Sequence, residues 1–175
     1  MLKALLDAFH WRDIKKRVER HGWTIVPVDG PLSWAYSVGF PQSVGAPEVI
    51  CFAPALGAAR IVSDIRNELA ERRLALQEGL VWAGLGFPVC ARKVHESQVM
   101  GFQWMRLAKA HAEAEAGCRV DIEAYQLFLA DALGLYPWED GCHPNIRDMQ
   151  PLLFMPLDPE NHPPRARPGA APHPP

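Results

Sequence analysis

Two runs of β-forming residues flank Asp29-Gly30-Pro31, and this arrangement constrains the fold more than any other feature of the chain. Residues 23–28 (Trp-Thr-Ile-Val-Pro-Val) form the first run, and residues 32–40 alternate large apolar with small or polar side chains. A turn triplet between two such runs predicts an antiparallel hairpin. Strand geometry then sets side-chain direction: Trp34 and Tyr36 are two apart and share a face, while Ser37 points the other way. Gly39 leaves room for a close approach at the end of the second run.

The rest of the chain extends this start into an α+β order. Residues 2–20 carry Leu5, Leu6, Phe9, Ile14 and Val18 at helical spacing, and His21-Gly22 supplies a stop. Pro41 to Pro47 reads as a loop and Glu48 to Phe52 as a short buried strand. Pro54 opens a strong helix, in which Leu56, Ile61, Ile65 and Leu69 make the apolar stripe and Arg60, Asp64, Arg66 and Glu68 the polar face. Residues 80–95 read as a loop feeding a strand that contains Val89 to Val94. Within 97–116, Met100, Trp104, Leu107, Ala108 and His111 fit a helix, whereas 122–130 fits helix or strand by pattern alone. The expected fold is a small, mostly antiparallel sheet packed against two or three helices. From Pro156 onward proline dominates and apolar bulk vanishes, so a single domain over residues 1–155 with a disordered tail over 156–175 is expected.

Composition excludes several function classes. The chain has 175 residues and a formal net charge of -2, which argues against a nucleic-acid or anionic-lipid partner. Lys15, Lys16, Arg17 and Arg20 cluster, but Asp13 and Glu19 interrupt them in the manner of a solvated helix face. No apolar run reaches the ~20 residues that span a bilayer. Cys51, Cys90, Cys118 and Cys142 form no C-x-x-C pair and follow no signal-peptide pattern, so reduced thiols and a cytoplasmic location are expected.

Three motifs fail on context. Ala35-Tyr36-Ser37-Val38-Gly39 is one residue away from a nucleophile elbow, but that elbow needs a helix directly after the serine, and Phe40-Pro41-Gln42 opens a loop instead. Gly84-Leu85-Gly86 lacks the third glycine of a dinucleotide fingerprint, and Pro88 obstructs the helix that would receive the phosphates. Cys142-His143 has no partner at metal-ligand spacing. No cofactor is assigned by any motif.

His21-Gly22-Trp23, the run Trp34-Ala35-Tyr36-Ser37-Val38-Gly39-Phe40 and the run Ala46-Pro47-Glu48-Val49-Ile50-Cys51-Phe52 resemble the front half of the DUF4262 family. Its pattern joins a GW-x-V strand, a Y-[TS]-[VI]-G-[LF] strand and a P-E-hydrophobic strand. Gln126 to Glu139, with Asp131, Gly134 and Tyr136-Pro137-Trp138-Glu139, resembles the family's C-terminal element. The resemblance spans about residues 10–150 of a chain of one-domain length. It departs at Ala46, where the family carries histidine or a polar residue, and at Ala130 to Leu133, where the family turn is tighter. It implies a strand rather than a helix over 122–130, and it implies no activity.

Three functional readings follow from these residues. The first is a small-molecule or cofactor pocket walled by Trp34, Tyr36 and Trp138, with Ser37 and Gly39 beside it and Glu48 and Asp131 as polar anchors. The second is a non-catalytic module for a protein partner, of regulatory or immunity type, with the aromatics as core or interface anchors. The third is general acid–base chemistry by Glu48, Asp131, Glu139 and His143, which depends on their convergence in space.

Overall fold

The computed structural model describes residues 2–84, 86–101 and 104–157. The chain opens with α1 (Leu2–His21), β1 (Thr24–Val28), β2 (Trp34–Val38), α2 (Phe40–Val44), β3 (Glu48–Phe52) and α3 (Ala55–Ala70). It continues with β4 (Leu80–Trp82), β5 (Val89–Lys93), α4 (Glu96–Gly101), α5 (Arg106–Ala116), β6 (Ala124–Leu129) and α6 (Pro144–Met149). The six strands form one open sheet in the order β1-β2-β3-β6-β5-β4. Two antiparallel three-stranded halves, β1-β2-β3 and β4-β5-β6, meet at a single parallel pair, β3 with β6. The α+β class and the largely antiparallel sheet agree with the sequence reading.

The hairpin sits where the turn triplet places it, with Val28 paired to Trp34 and Val26 to Tyr36. One face of the sheet buries Ala35, Val49, Cys51, Val89, Ala91 and Leu127 beneath α3. That helix contributes Ala58, Ile61, Val62, Ile65 and Leu69, and full burial of residues such as Val62 and Ile65 is worth about 2 kcal/mol each. The opposite face buries Tyr36, Val38, Ile50 and Phe52 with Ile14 and Val18 of α1, Ala108 of α5, and Trp104, Met105 and Leu153. Leu5, Leu6 and Phe9, expected on the apolar face of α1, lie outside the residues whose side chains are described.

Two fully buried glutamines hold the last described segment over this second face. Gln126 on β6 donates to Pro151 O at 2.7 Å and accepts from Leu153 N at 3.0 Å. Gln150 accepts from Leu129 N at 2.8 Å and donates to Leu129 O at 3.0 Å. Each carries a satisfied donor and acceptor, as burial of an amide requires.

Three local expectations change. Residues 40–44 are a short helix rather than loop: Pro41 stands in its first turn, where a missing N–H costs nothing. Residues 80–82 form the edge strand β4, a three-residue segment too brief for a periodic signal. The helical pattern over 97–116 is divided between α4 and α5, with buried Trp104 and Met105 just before α5. Trp34 and Tyr36 face away from the long helix α3. The proline-rich tail lies, from residue 158 on, outside the described residues.

Candidate functional site

The Gly22-Trp23 turn and the Gly39-Phe40 turn meet beside buried Glu48. Helix α1 ends by a Gly22 N–H to Val18 O bond of 2.7 Å, with Gly22 at φ 79°. This turn brings the Gly22-Trp23 backbone against Gly39, which has φ 93°. A Cβ on Gly39 would stand 2.7 Å from Gly22 O and 3.2 Å from Trp23 Cα, so no larger residue fits. Trp23 packs edge-on against Phe40 at 5.7 Å, and the Arg66 guanidinium lies 5.2 Å over the same indole.

Glu48 ties this point together. The β2–β3 ladder ends at Tyr36 and Ile50, and side chains take over from there. Ser37 Oγ accepts from Val49 N at 2.8 Å and donates to Glu48 Oε2. The other carboxylate oxygen accepts from Gly39 N at 2.7 Å, and Phe40 N lies 3.4 Å from Oε2. The carboxylate therefore caps the start of α2, which has no side-chain cap of its own. Glu48 is 3% exposed and Ser37 fully buried. Burial raises the Glu48 pKa above the usual carboxylate value, against the opposing pull of the Ser37, Gly39 and Phe40 bonds.

Trp34 and Tyr36 lie on the cleft side of the same strand. A cleft of about 440 Å³ is lined by Trp34, Tyr36, Trp104, Leu107, Arg106, His10, the β1 residues Val26 to Val28 and Asp29 just after them. The Trp34 indole donates to Trp104 O at 3.1 Å and meets the Trp104 ring edge-on at 5.0 Å. Phe52 backs both rings at 5.9 Å and 5.2 Å. The Tyr36 hydroxyl is pushed up to about 12, chiefly by burial, while the Leu107 amide and the Arg106 charge pull it down and Glu48 pushes it up.

Asp131 and Trp138 occupy a different region. Asp131 organises the loop after β6: Oδ1 accepts from Leu133 N at 2.8 Å and Leu135 N at 2.9 Å, and Oδ2 from His143 N at 2.9 Å. These N–H groups, that of His143 first, hold its carboxyl below the usual range. Trp138 stacks on Tyr136 at 5.0 Å, packs edge-on against Phe128 and Phe154, and lies 5.2 Å from the Arg92 guanidinium. Glu48 and Asp131 stand at opposite ends of the parallel β3–β6 pair, since Glu48 is level with Ala124 and Asp131 follows Leu129.

The seven residues singled out by sequence thus divide into three groups: Trp34 with Tyr36 at the cleft, Ser37, Gly39 and Glu48 at the buried junction, and Asp131 with Trp138 around the β6 loop. His10, Trp104 and Arg106 complete the cleft and were not singled out as site residues, because His10 on α1 is far in sequence from the segment that opens α5 and none of the three carries a local motif. The acid–base quartet is divided as well. Glu139 accepts from Tyr136 N at 2.6 Å and His143 Nδ1 from Asn145 N at 3.2 Å, both in the Asp131 loop and away from Glu48. Among the described residues, no three histidine, cysteine or acidic side chains are grouped to hold a metal ion, and no helix is long and apolar enough to cross a membrane.

The model of a family described as a domain of unknown function, DUF4262, matches residues 17–143. The chain belongs to the DUF4262 family. No curated protein and no solved structure matches it. The DUF4262 match begins within α1 and ends at His143. It includes the Glu48 junction, the Asp131 loop and most of the cleft, but neither His10 nor Gln150.

Proposed function

We propose that this DUF4262 domain binds a small, flat, largely apolar molecule in the cleft walled by Trp34, Tyr36 and Trp104. The cleft itself carries the reading: its volume of about 440 Å³ lies within the usual span of small-ligand sites. Large aromatic walls with a few polar groups at the rim are the common composition of such sites. The Glu48 junction supports the cleft from behind. By fixing Ser37, Gly39 and Val49 it holds the end of β2 that presents Tyr36, which makes Glu48 a positioning residue rather than a ligand contact.

The side-chain N–H resonance of Trp34 is the natural reporter, because that group lies in the cleft and is bonded to Trp104 O. In a titration of the ¹⁵N-labelled full chain with mono- and bicyclic aromatic fragments, this resonance and the Leu107 amide should shift together. Fragments that leave both unmoved, or move only residues outside the cleft, would remove the basis for the reading.

A reducing, cytoplasmic setting fits the same domain. Its four cysteines are unpaired, and burial pushes the Cys51 thiol up to about 12, where it is inert. Acid quenching of cells, followed by alkylation under denaturing conditions and mass measurement, should find all four as thiols, and a disulfide-linked species would oppose this placement.

A further inference from the structure

We propose that the segment Pro163-Pro164-Arg165-Ala166-Arg167-Pro168 of the same chain docks in a groove between α5 and the α2–β3 turn, with its two arginines against an acidic rim. This groove is separate from the Trp34 cleft and shares no lining residue with it.

The groove holds about 630 Å³ and is built by the α2–β3 turn, the last turns of α5 and the lead into β6. Small side chains line its inner surface, with Ala46 buried and Ala112 half-buried. Glu115, Asp121 and Glu123 stand exposed at its rim, and no basic residue lines it. Glu123 is bonded to Lys93 at 2.8 Å. Glu115 and Asp121 make no ion pair among the described residues. Small side chains between carboxylates suit a narrow cationic chain, and the absence of rings from the lining disfavours a flat aromatic ligand.

Chain connectivity supplies the occupant. Leu157, the last described residue, donates its N–H to Ser97 Oγ at 2.8 Å. Ser97 lies three residues beyond Val94, whose N–H donates to Ala124 O at 2.9 Å, and Ala124 follows Glu123 of the rim. This path measures no more than about 25 Å. Residues 158–165 cover about 25 Å as polyproline II, so Arg165 reaches the rim. Val99 and Leu153 beside the exit and Ile122 in the groove pack on the same face of the sheet, so the segment need not round an edge. From residue 161 to 175 the chain carries Arg165 and Arg167 and no acidic residue. Polyproline II has three residues per turn, which puts Pro163 and Ala166 on one side and aims Arg165 and Arg167 along the two others. Ala166 then meets the small side chains while the arginines straddle them toward the carboxylates. Exposed ion pairs are weak singly, but a tethered segment meets its groove at an effective concentration on the order of millimolar.

Cys118, between α5 and β6, is exposed, while Cys51, Cys90 and Cys142 are buried. A nitroxide placed on Cys118 of the ¹⁵N-labelled full chain should therefore broaden the amides of Arg165, Ala166 and Arg167 more than those of Asn161 on one side and Ala171 on the other. The double substitution Arg165→Glu with Arg167→Glu should abolish that local maximum and, on the unlabelled chain, shift the amides of Ala116 and Ile122. Both differences should vanish at 1 M salt, where screening acts within about 3 Å. Reversing the rim as well, by Glu115→Arg and Asp121→Arg, should restore the maximum; the tail substitutions decide the matter even where that variant folds poorly. Broadening that fades on dilution would place a second copy's segment in the groove and overturn the intramolecular contact. Broadening that falls smoothly from Asn161 to Ala171, with Ala116 and Ile122 unmoved by the tail substitutions, would overturn the docking altogether.

Discussion

Glu48 and Asp131 do the same job in two regions of the molecule, and their surroundings push their chemistry in opposite directions. Each carboxylate collects backbone N–H groups from a turn of chain: Gly39 and Phe40 for Glu48, and Leu133, Leu135 and His143 for Asp131. Glu48 does so at 3% exposure, and loss of water raises its pKa despite three hydrogen bonds. Asp131 does so at the surface, where water is retained and the hydrogen bonds win. The hydrogen-bond count is thus a poor guide to a carboxylate's state; what burial removes decides it. Glu48 should be a global determinant of stability, and Asp131 a local one.

The largest separation should come from truncation. Glu48→Ala leaves the Gly39 and Phe40 N–H groups and the Ser37 hydroxyl without their acceptor in a dry site, an expected loss of about 4 kcal/mol. That is a large share of the ~5–15 kcal/mol that holds a domain together. Glu48→Gln keeps an oxygen for Gly39 N and should lose about 2 kcal/mol. Urea unfolding midpoints measure both, and a Glu48→Ala protein as stable as the wild type would end the comparison.

Next comes the glycine that the Glu48 carboxylate caps. Gly39 and Gly45 both have positive φ, 93° and 66°, but a Cβ at Gly45 meets nothing within 4 Å. Gly45→Ala should therefore cost only the left-handed backbone, about 1 kcal/mol. Gly39→Ala adds the collision with Gly22 O and should cost about 3 kcal/mol. The difference between the two isolates the close approach of α1's exit to β2. Equal losses would mean that the Gly22-Trp23 backbone yields freely.

A pH series gives a smaller effect but the sharpest contrast, because the signs differ. The folded pKa of Glu48 is raised above its unfolded value of about 4.3. Its contribution is fully present below that unfolded value and is lost as pH rises through the folded one. The folded pKa of Asp131 is lowered from about 3.9. Its contribution is present above the unfolded value and is lost as pH falls through the folded one. The stability of wild type relative to Glu48→Gln should thus be greatest in acid and shrink toward neutrality. Relative to Asp131→Asn it should be greatest near neutrality and shrink in acid. Parallel slopes in the two series would show that burial does not separate the carboxylates.

The same contrast marks what the sequence discloses. The β1–β2 hairpin, β3, α3 and the α1 stop at Gly22 were legible because each rests on local signals: β-forming runs, a turn triplet, a helical stripe, a glycine. Helix α2 was not legible, since a five-residue helix containing Pro41 persists through a carboxylate eight residues beyond its start. Among the site residues, Trp34 and Tyr36 could be placed on one face by strand period alone. The role of Glu48 could not, because it depends on the end of the β2–β3 ladder. The cleft was least legible of all: Trp34 and Trp104 are 70 residues apart, and no local pattern records that contact.

The smallest expected effect belongs to Asp131→Asn. The amide oxygen can still accept from Leu133 and Leu135, but the amide nitrogen then faces the His143 N–H, so one acceptor is lost and two donors oppose each other. The groups released lie near water, which satisfies them at little cost. The urea midpoint at neutral pH should move far less than for any Glu48 substitution. Hydrogen exchange should quicken at the amides of Leu135 and His143 while those of β6, buried from Ala124 to Phe128, stay protected. Quickened exchange spreading into β6 would instead make the loop part of the sheet's cooperative unit, and Asp131 would join Glu48 as a determinant of the whole fold.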